Sequence, residues 1–220
     1  SNSGENRTEE QLTAEMMMSL GQKYLNEMNY EQAKAMFAQA IELEPKNINA
    51  YFGIAQAYRG LNDNENALVN LDKGIELAKE STEAGVQDVL GRMYLQSAVI
   101  KEERGEYQAA ISDYDNAVKT DAANEADITE KKDNAVSKLA SQQEQDGNYE
   151  EAVKSYEDMK KSNPEKAYRN ISDIYLRNND PVKAMEVLTE GISNTDSSSL
   201  KERQEYVRKN TVYTAKTVRT

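Results

Sequence analysis

Three observations predict an all-α chain built of stacked helix pairs. A small-large-small pattern recurs five times, a partner pattern stands at a fixed distance before each copy, and the composition is too polar for one large central core. With 38% apolar against 30% charged residues in 220, and a mean hydropathy of −0.87, the chain suits a thin, elongated core.

The recurring pattern begins at Asn29, Tyr30, Glu31, Gln32 and Ala33 and continues to Phe37 and Ala40. Asn64 to Ala67 leads likewise to Leu71 and Gly74, and Tyr107 to Ala110 leads to Tyr114 and Ala117. Tyr149 to Ala152 leads to Tyr156 and Met159, and Pro181 to Ala184 leads to Leu188 and Gly191. A spacing of four then three puts these positions on one helix face, where a facing helix comes close at the small residues. Upstream stand Met17, Leu20, Gly21 and Tyr24, then Tyr51, Ile54, Ala55 and Tyr58, then Tyr94, Ser97, Ala98 and Lys101. The last two sets are Val136, Leu139, Ala140 and Gln143, and Tyr168, Ile171, Ser172 and Tyr175. Each has helical spacing and supplies the first helix of its pair. Between the helices, Gly105 and Gly147 suit a positive φ, Asn62 and Asn179 tolerate one, and Met28 is the odd member. Pro45 and Pro164 mark where second helices stop.

This arrangement resembles the tetratricopeptide repeat, a helix-turn-helix unit with a large residue, Leu-Gly, Tyr, Ala, an aromatic, Ala and Pro at these offsets. Met17, Leu20, Gly21, Tyr24, Ala33, Phe37, Ala40 and Pro45 carry the likeness most fully. It implies a right-handed α-solenoid with repeats at 14–47, 48–81, 91–124, 133–166 and 165–198. We expect a flexible segment over 1–8, a solenoid over 9–198, and a capping helix with a basic tail over 199–220. Thr8 and Gln11 read as a capping box opening the first helix. Extra residues before repeats 3 and 4, Ser81–Val89 and Glu125–Lys132, hold no Pro and little Gly, so we expect them to lengthen helices and project from the edge.

The composition removes most catalytic classes. Neither Cys nor His occurs, which excludes thiol nucleophiles, thiolate metal sites and imidazole bases. Adjacent carboxylates such as Glu102 and Glu103 point apart on a helix. No glycine-rich phosphate loop or calcium loop is present. The reading is a non-enzyme with no catalytic residues, metal site or cofactor. Net charge is −12, with a basic stretch at Lys201, Arg203, Arg208, Lys209, Lys216 and Arg219, so nucleic acid is not an expected partner. No apolar run is long enough to span a membrane. We expect the polar Ser1–Asn6 opening to be a tag remnant or a tether that follows a lipid-modified Cys; the absence of Cys leans towards an extracytoplasmic or membrane-tethered location, with a cytoplasmic one as the alternative.

The resemblance also implies a concave wall formed by the first helices. Its positions here are Met18 and Gln22, then Asn49, Phe52, Gln56 and Arg59, then Arg92, Leu95 and Val99, then Ser137 and Ser141, then Arg169 and Asp173. Met18, Phe52, Leu95 and Val99 are apolar where the repeat's own packing does not ask for it, which marks a contact surface. Gln22, Asn49 and Gln56 offer both hydrogen-bonding senses to a peptide backbone. Family members that clamp a carboxylate use Lys, Asn, Asn, Lys and Arg; here Met18, Gln22, Gly53, Arg92 and Gln96 stand there, so that subtype is not supported. The function read from the sequence is a non-enzymatic scaffold that binds a peptide or protein segment in the groove. The alternative is a sensory or regulatory module that binds a signalling peptide and controls an effector.

Overall fold

Side chains that alternate small and large at helical spacing cannot bury themselves on one helix, so each helix of this chain folds against its neighbours in sequence. A computed structural model describes residues 8–219, with the side chains of Ala122 and 212–219 left aside. The described residues are helical with no strand. Contacts divide the chain into two units, Ser1–Ile128 and Thr129–Thr220.

The first unit stacks three helix pairs: α1 (Glu9–Asn26) with α2 (Tyr30–Leu43), α3 (Ile48–Gly60) with α4 (Asn64–Glu80), and α5 (Val86–Glu103) with α6 (Tyr107–Thr120). α2 also packs on α3 and α4 on α5, and α1, α3 and α5 touch in turn. The capping box is formed: Gln11 N–H donates to Thr8 Oγ1 at 3.1 Å and Thr8 N–H donates to Gln11 Oε1 at 2.8 Å. Met28, Asn62 and Gly105 take the left-handed conformation at φ 59°, 61° and 78°. Met28 does so as a β-unbranched residue that is itself exposed.

Phe37 lies at the centre of this packing. Its ring is buried, and it presses against both Gly21 of α1 and Gly53 of α3, where an added Cβ would meet ring atoms at 2.7 and 2.5 Å. The seam that faces the preceding helix is equally plain. Ala50 of α3 and Met93 of α5 are fully buried there, whereas Met16, at the same register of α1, is 60% exposed, with no described helix before α1 to cover it.

Repeat 3 departs from the apolar pattern in a compensated way. Ser97, fully buried, donates to Asp113 Oδ2 at 2.6 Å, and Lys101 Nζ donates to the same oxygen at 2.7 Å. Burial raises the Asp72 carboxyl above its ordinary value, against the opposing field of Lys101.

Within the second unit, α7 (Glu125–Gln145), whose first residues precede the division, is followed by α8 (Tyr149–Ser155), α9 (Met159–Ser162), α10 (Pro164–Arg177), α11 (Pro181–Thr195) and α12 (Ser198–Arg219). Gly147 and Asn179 make the left-handed turns at φ 85° and 60°. α12 lays Leu200 and Val207 into a cluster with Tyr168 and Leu188, which covers α10 and α11.

Two expectations need correcting. The residues before repeat 3 do not simply extend helices: Ser81–Gly85 form a loop that ends at Gly85 with φ 83°, and only from Val86 does α5 begin. The residues before repeat 4 do enter α7, and each segment sets one residue into the core, Val86 and Ile128 buried at 8% and 1%, while most of its other side chains are exposed. The second helix of repeat 4 is also broken, with α8 and α9 joined by i to i+3 bonds such as Tyr156 N–H to Val153 O at 3.1 Å and Met159 N–H to Tyr156 O at 3.1 Å. Ser155 donates back to Glu151 O at 3.1 Å, a bond that bends helices. The face survives the break, since Ala152, Tyr156 and Met159 stay buried.

Three stability outcomes follow from these contacts. Phe37→Ala should lower the unfolding free energy by about 3–5 kcal/mol in urea denaturation, and Gly53→Ala should cost less when combined with Phe37→Leu than alone, because the smaller side chain relieves the clash. Lys101→Met should cost about 1–3 kcal/mol by stranding the buried Asp113 carboxylate, while Lys101→Arg should cost less in the same assay.

Candidate functional site

The wall of the first unit is built from the faces of α1, α3 and α5 left free by the second helices. Phe52 of α3 and Leu95 and Val99 of α5 are half-buried there. Met18 is also half-buried, but it packs against the Ala33, Phe37, Ile54 and Ala57 cluster, so the repeat's own core does use it. Arg92 is exposed and pairs with Asp88 on its own helix at 3.4 Å.

Gln22, Gln56 and Arg59 come together. With Leu25, Asn26, Tyr30, Gly60 and Gln96 they line a cavity of about 430 Å³. Gln22 Nε2 donates to Asn26 Oδ1 at 3.0 Å. Arg59 Nη2 donates to Glu103 Oε1 of α5 at 2.8 Å, which ties the end of α3 to the end of α5. Gly60 lets the Tyr30 ring close one side, because an added Cβ would collide with that ring. Asn49 stands apart from this group and lines a second cavity of about 790 Å³ between the α2–α3 and α4–α5 loops, with Ile48, Glu83, Val86 and Val89.

Ser137 and Ser141 of the second unit line a cavity of about 590 Å³ with Glu144, Tyr156, Ile174 and Arg177. Arg177 grips Glu144 with two nitrogens, Nε to Oε2 at 3.0 Å and Nη2 to Oε1 at 2.9 Å, and Asn178 Nδ2 adds a third bond at 3.1 Å. These donors hold the Glu144 carboxyl below its ordinary value of 4.5. Burial pushes the Tyr156 phenol up. Asp173 accepts from Arg203 of α12 through Nε at 3.0 Å and Nη2 at 2.7 Å, and Arg169 is exposed.

Sequence reasoning missed Gln96 and Asn26 as members of the first cavity. The four-residue spacing of Gln22 and Asn26 was a usable signal, whereas Gln96 is brought in only by the stacking of α3 against α5. Among the described residues there is no cluster of three or more acidic side chains placed to hold a metal ion, and no helix long and apolar enough to cross a membrane.

Comparison with known proteins agrees with the helix-pair fold. Two profiles of the tetratricopeptide repeat match, one at residues 14–47 and 48–81 and the other at 138–198, together more than half of the chain. A search of curated protein sequences finds no significant match. Among solved structures, the crystal structure of the MamA protein is similar with a TM-score of 0.51 at 17% identity, over 85% of this chain and 94% of that one. The TPR2AB domain of yeast Sti1, in its pHSP90 complex, is similar with a TM-score of 0.50 at 18% identity, over 92% of this chain and 86% of that one. At such identities the likeness is one of fold.

The Glu144 pair predicts a pH response. Because its folded pKa is depressed, the stability it contributes is complete above the ordinary value of 4.5 and is lost as pH falls through the lowered folded value. Thermal unfolding between neutral and strongly acid pH should therefore show a steeper acid-side loss for the wild type than for Glu144→Gln, which titrates no proton at this site.

Proposed function

Because the chain belongs to the tetratricopeptide repeat family, we propose that it is a non-enzymatic interaction scaffold whose first unit holds a peptide or protein segment along α1, α3 and α5. The observation that carries this reading is the pairing, on one wall, of half-buried apolar side chains at Phe52, Leu95 and Val99 with the amide-lined cavity at Gln22, Gln56 and Arg59. Apolar side chains of a ligand gain burial at the first group, and its backbone finds donors and acceptors at the second. A domain of the same fold, that of yeast Sti1, is held in a complex with pHSP90. On the second unit, Ser137 and Ser141 line a more polar cavity, and Asp173 is already engaged by Arg203.

A quantitative pull-down from source lysate tests the proposal, with the wild type set against a Phe52→Glu, Leu95→Glu variant shown by circular dichroism to stay helical. Captured partners should fall at least about tenfold with the variant, the effect of losing ~1.4 kcal/mol of binding. Equal capture by both proteins overturns the wall as the binding surface.

A further inference from the structure

The cavity at the ends of α1, α3 and α5 contains a mismatch that its own side chains do not resolve. Arg59 Nη1, a donor, and Gln96 Oε1, an acceptor, are both buried and have no hydrogen-bond partner, and both residues line the same space of about 430 Å³. Buried polar atoms without partners are rare in folded proteins, because each has given up water without replacement. The two do not bond to each other, although their chemistry is complementary.

The electrostatics of the cavity narrow what would satisfy them. Arg59 carries the cavity's formal positive charge, and Glu103 already neutralises it at 2.8 Å through the other terminal nitrogen. Gln22, Asn26, Gln56 and Gln96 are neutral carboxamides. A carboxylate ligand would meet the guanidinium but would also face the Glu103 carboxylate and the Gln96 carbonyl oxygen. A neutral amide meets neither repulsion, since its carbonyl accepts from Arg59 Nη1 while its N–H donates to Gln96 Oε1.

The geometry points to an amide-specific subsite: Arg59 and Gln96 clamp one main-chain amide of an extended ligand, as a donor and acceptor pair. This rests on the reading of the first unit as a peptide-binding wall and adds the chemistry by which the backbone is held. Both atoms are shielded from solvent, so binding requires a local rearrangement at the cavity and gives the two unpaired atoms partners in one step. Recognition through the backbone leaves ligand sequence to be read at Phe52, Leu95 and Val99. It also makes the subsite indifferent to whether the ligand ends nearby, which separates it from a clamp for a terminal carboxylate.

The test is a titration of isotope-labelled full-length chain followed by NMR of the Arg59 guanidinium and Gln96 carboxamide signals. The probes are N-acetylalanine N-methylamide, which carries amides and no charge, and acetate at equal concentration and ionic strength. The blocked amide should shift both signals saturably, with acetate at least about tenfold weaker, a difference of ~1.4 kcal/mol. Gln96→Leu and, separately, Arg59→Lys should each abolish the saturable response while circular dichroism stays unchanged. Acetate binding as tightly as the amide, no saturable shift with either probe, or a response that survives both substitutions overturns the amide subsite. The Phe52→Glu, Leu95→Glu variant keeps the probe response, because so small a probe does not extend to the apolar wall. Loss of the amide response with partner capture still dependent on Phe52 and Leu95 therefore rejects the subsite alone, and the converse result rejects the wall alone.

Discussion

The contact of one aromatic ring with two glycines organises the first unit. Phe37 closes α2 onto α1 at Gly21 and, with the same ring, reaches α3 at Gly53, so one side chain joins the two helices of a repeat and the repeat to its successor. The device recurs with other residues. Met93 fills the space beside Gly74, and Tyr168 lies against Gly191. A stack of helix pairs has a core about one side chain deep, and a large residue enters it only where the facing helix offers a missing Cβ. This is why a chain with 38% apolar residues can still be fully packed.

Departures from the regular unit are absorbed without breaking that rule. The loop at Ser81–Gly85 takes up extra length while Val86 and Leu90 still reach the core. The break between α8 and α9 changes hydrogen bonding but keeps Tyr156 and Met159 on the buried face. At repeat 3 the signature's apolar position is held by Ser97 and its aromatic by Lys101, and Asp113 satisfies both. A buried carboxylate with two donors keeps the helix pair in register, at the cost of a site that tolerates few single replacements.

The wall that faces away from the second helices inherits its chemistry from this packing. Met18 is drawn into the core by the cluster around Phe37, while Phe52, Leu95 and Val99 remain half-exposed. Beside them, carboxamides and a neutralised guanidinium give a local surface without net charge on a chain that carries −12 overall. On the proposed reading, a ligand would be held there through shape, apolar burial and amide pairing, and long-range steering would enter mainly through the rest of the molecule.

Helix pairing was legible in the sequence because it depends on local spacing. The alanines at 33, 67, 110, 152 and 184, the large residue four positions on, and the turns at Met28, Asn62, Gly105, Gly147 and Asn179 are constrained within about one repeat, and backbone sterics enforce them. The same locality made the first helices legible. Only the tertiary structure decided which wall residues have partners. Arg59 meets Glu103 across 44 positions, Asp173 meets Arg203 across 30, and Gln96 joins Gln22 and Gln56 only when three helices are stacked. No spacing within one helix encodes those meetings, because they depend on how far each helix is shifted along its neighbour. That shift is set by the fit of rings such as Phe37 over small residues on another segment of the chain.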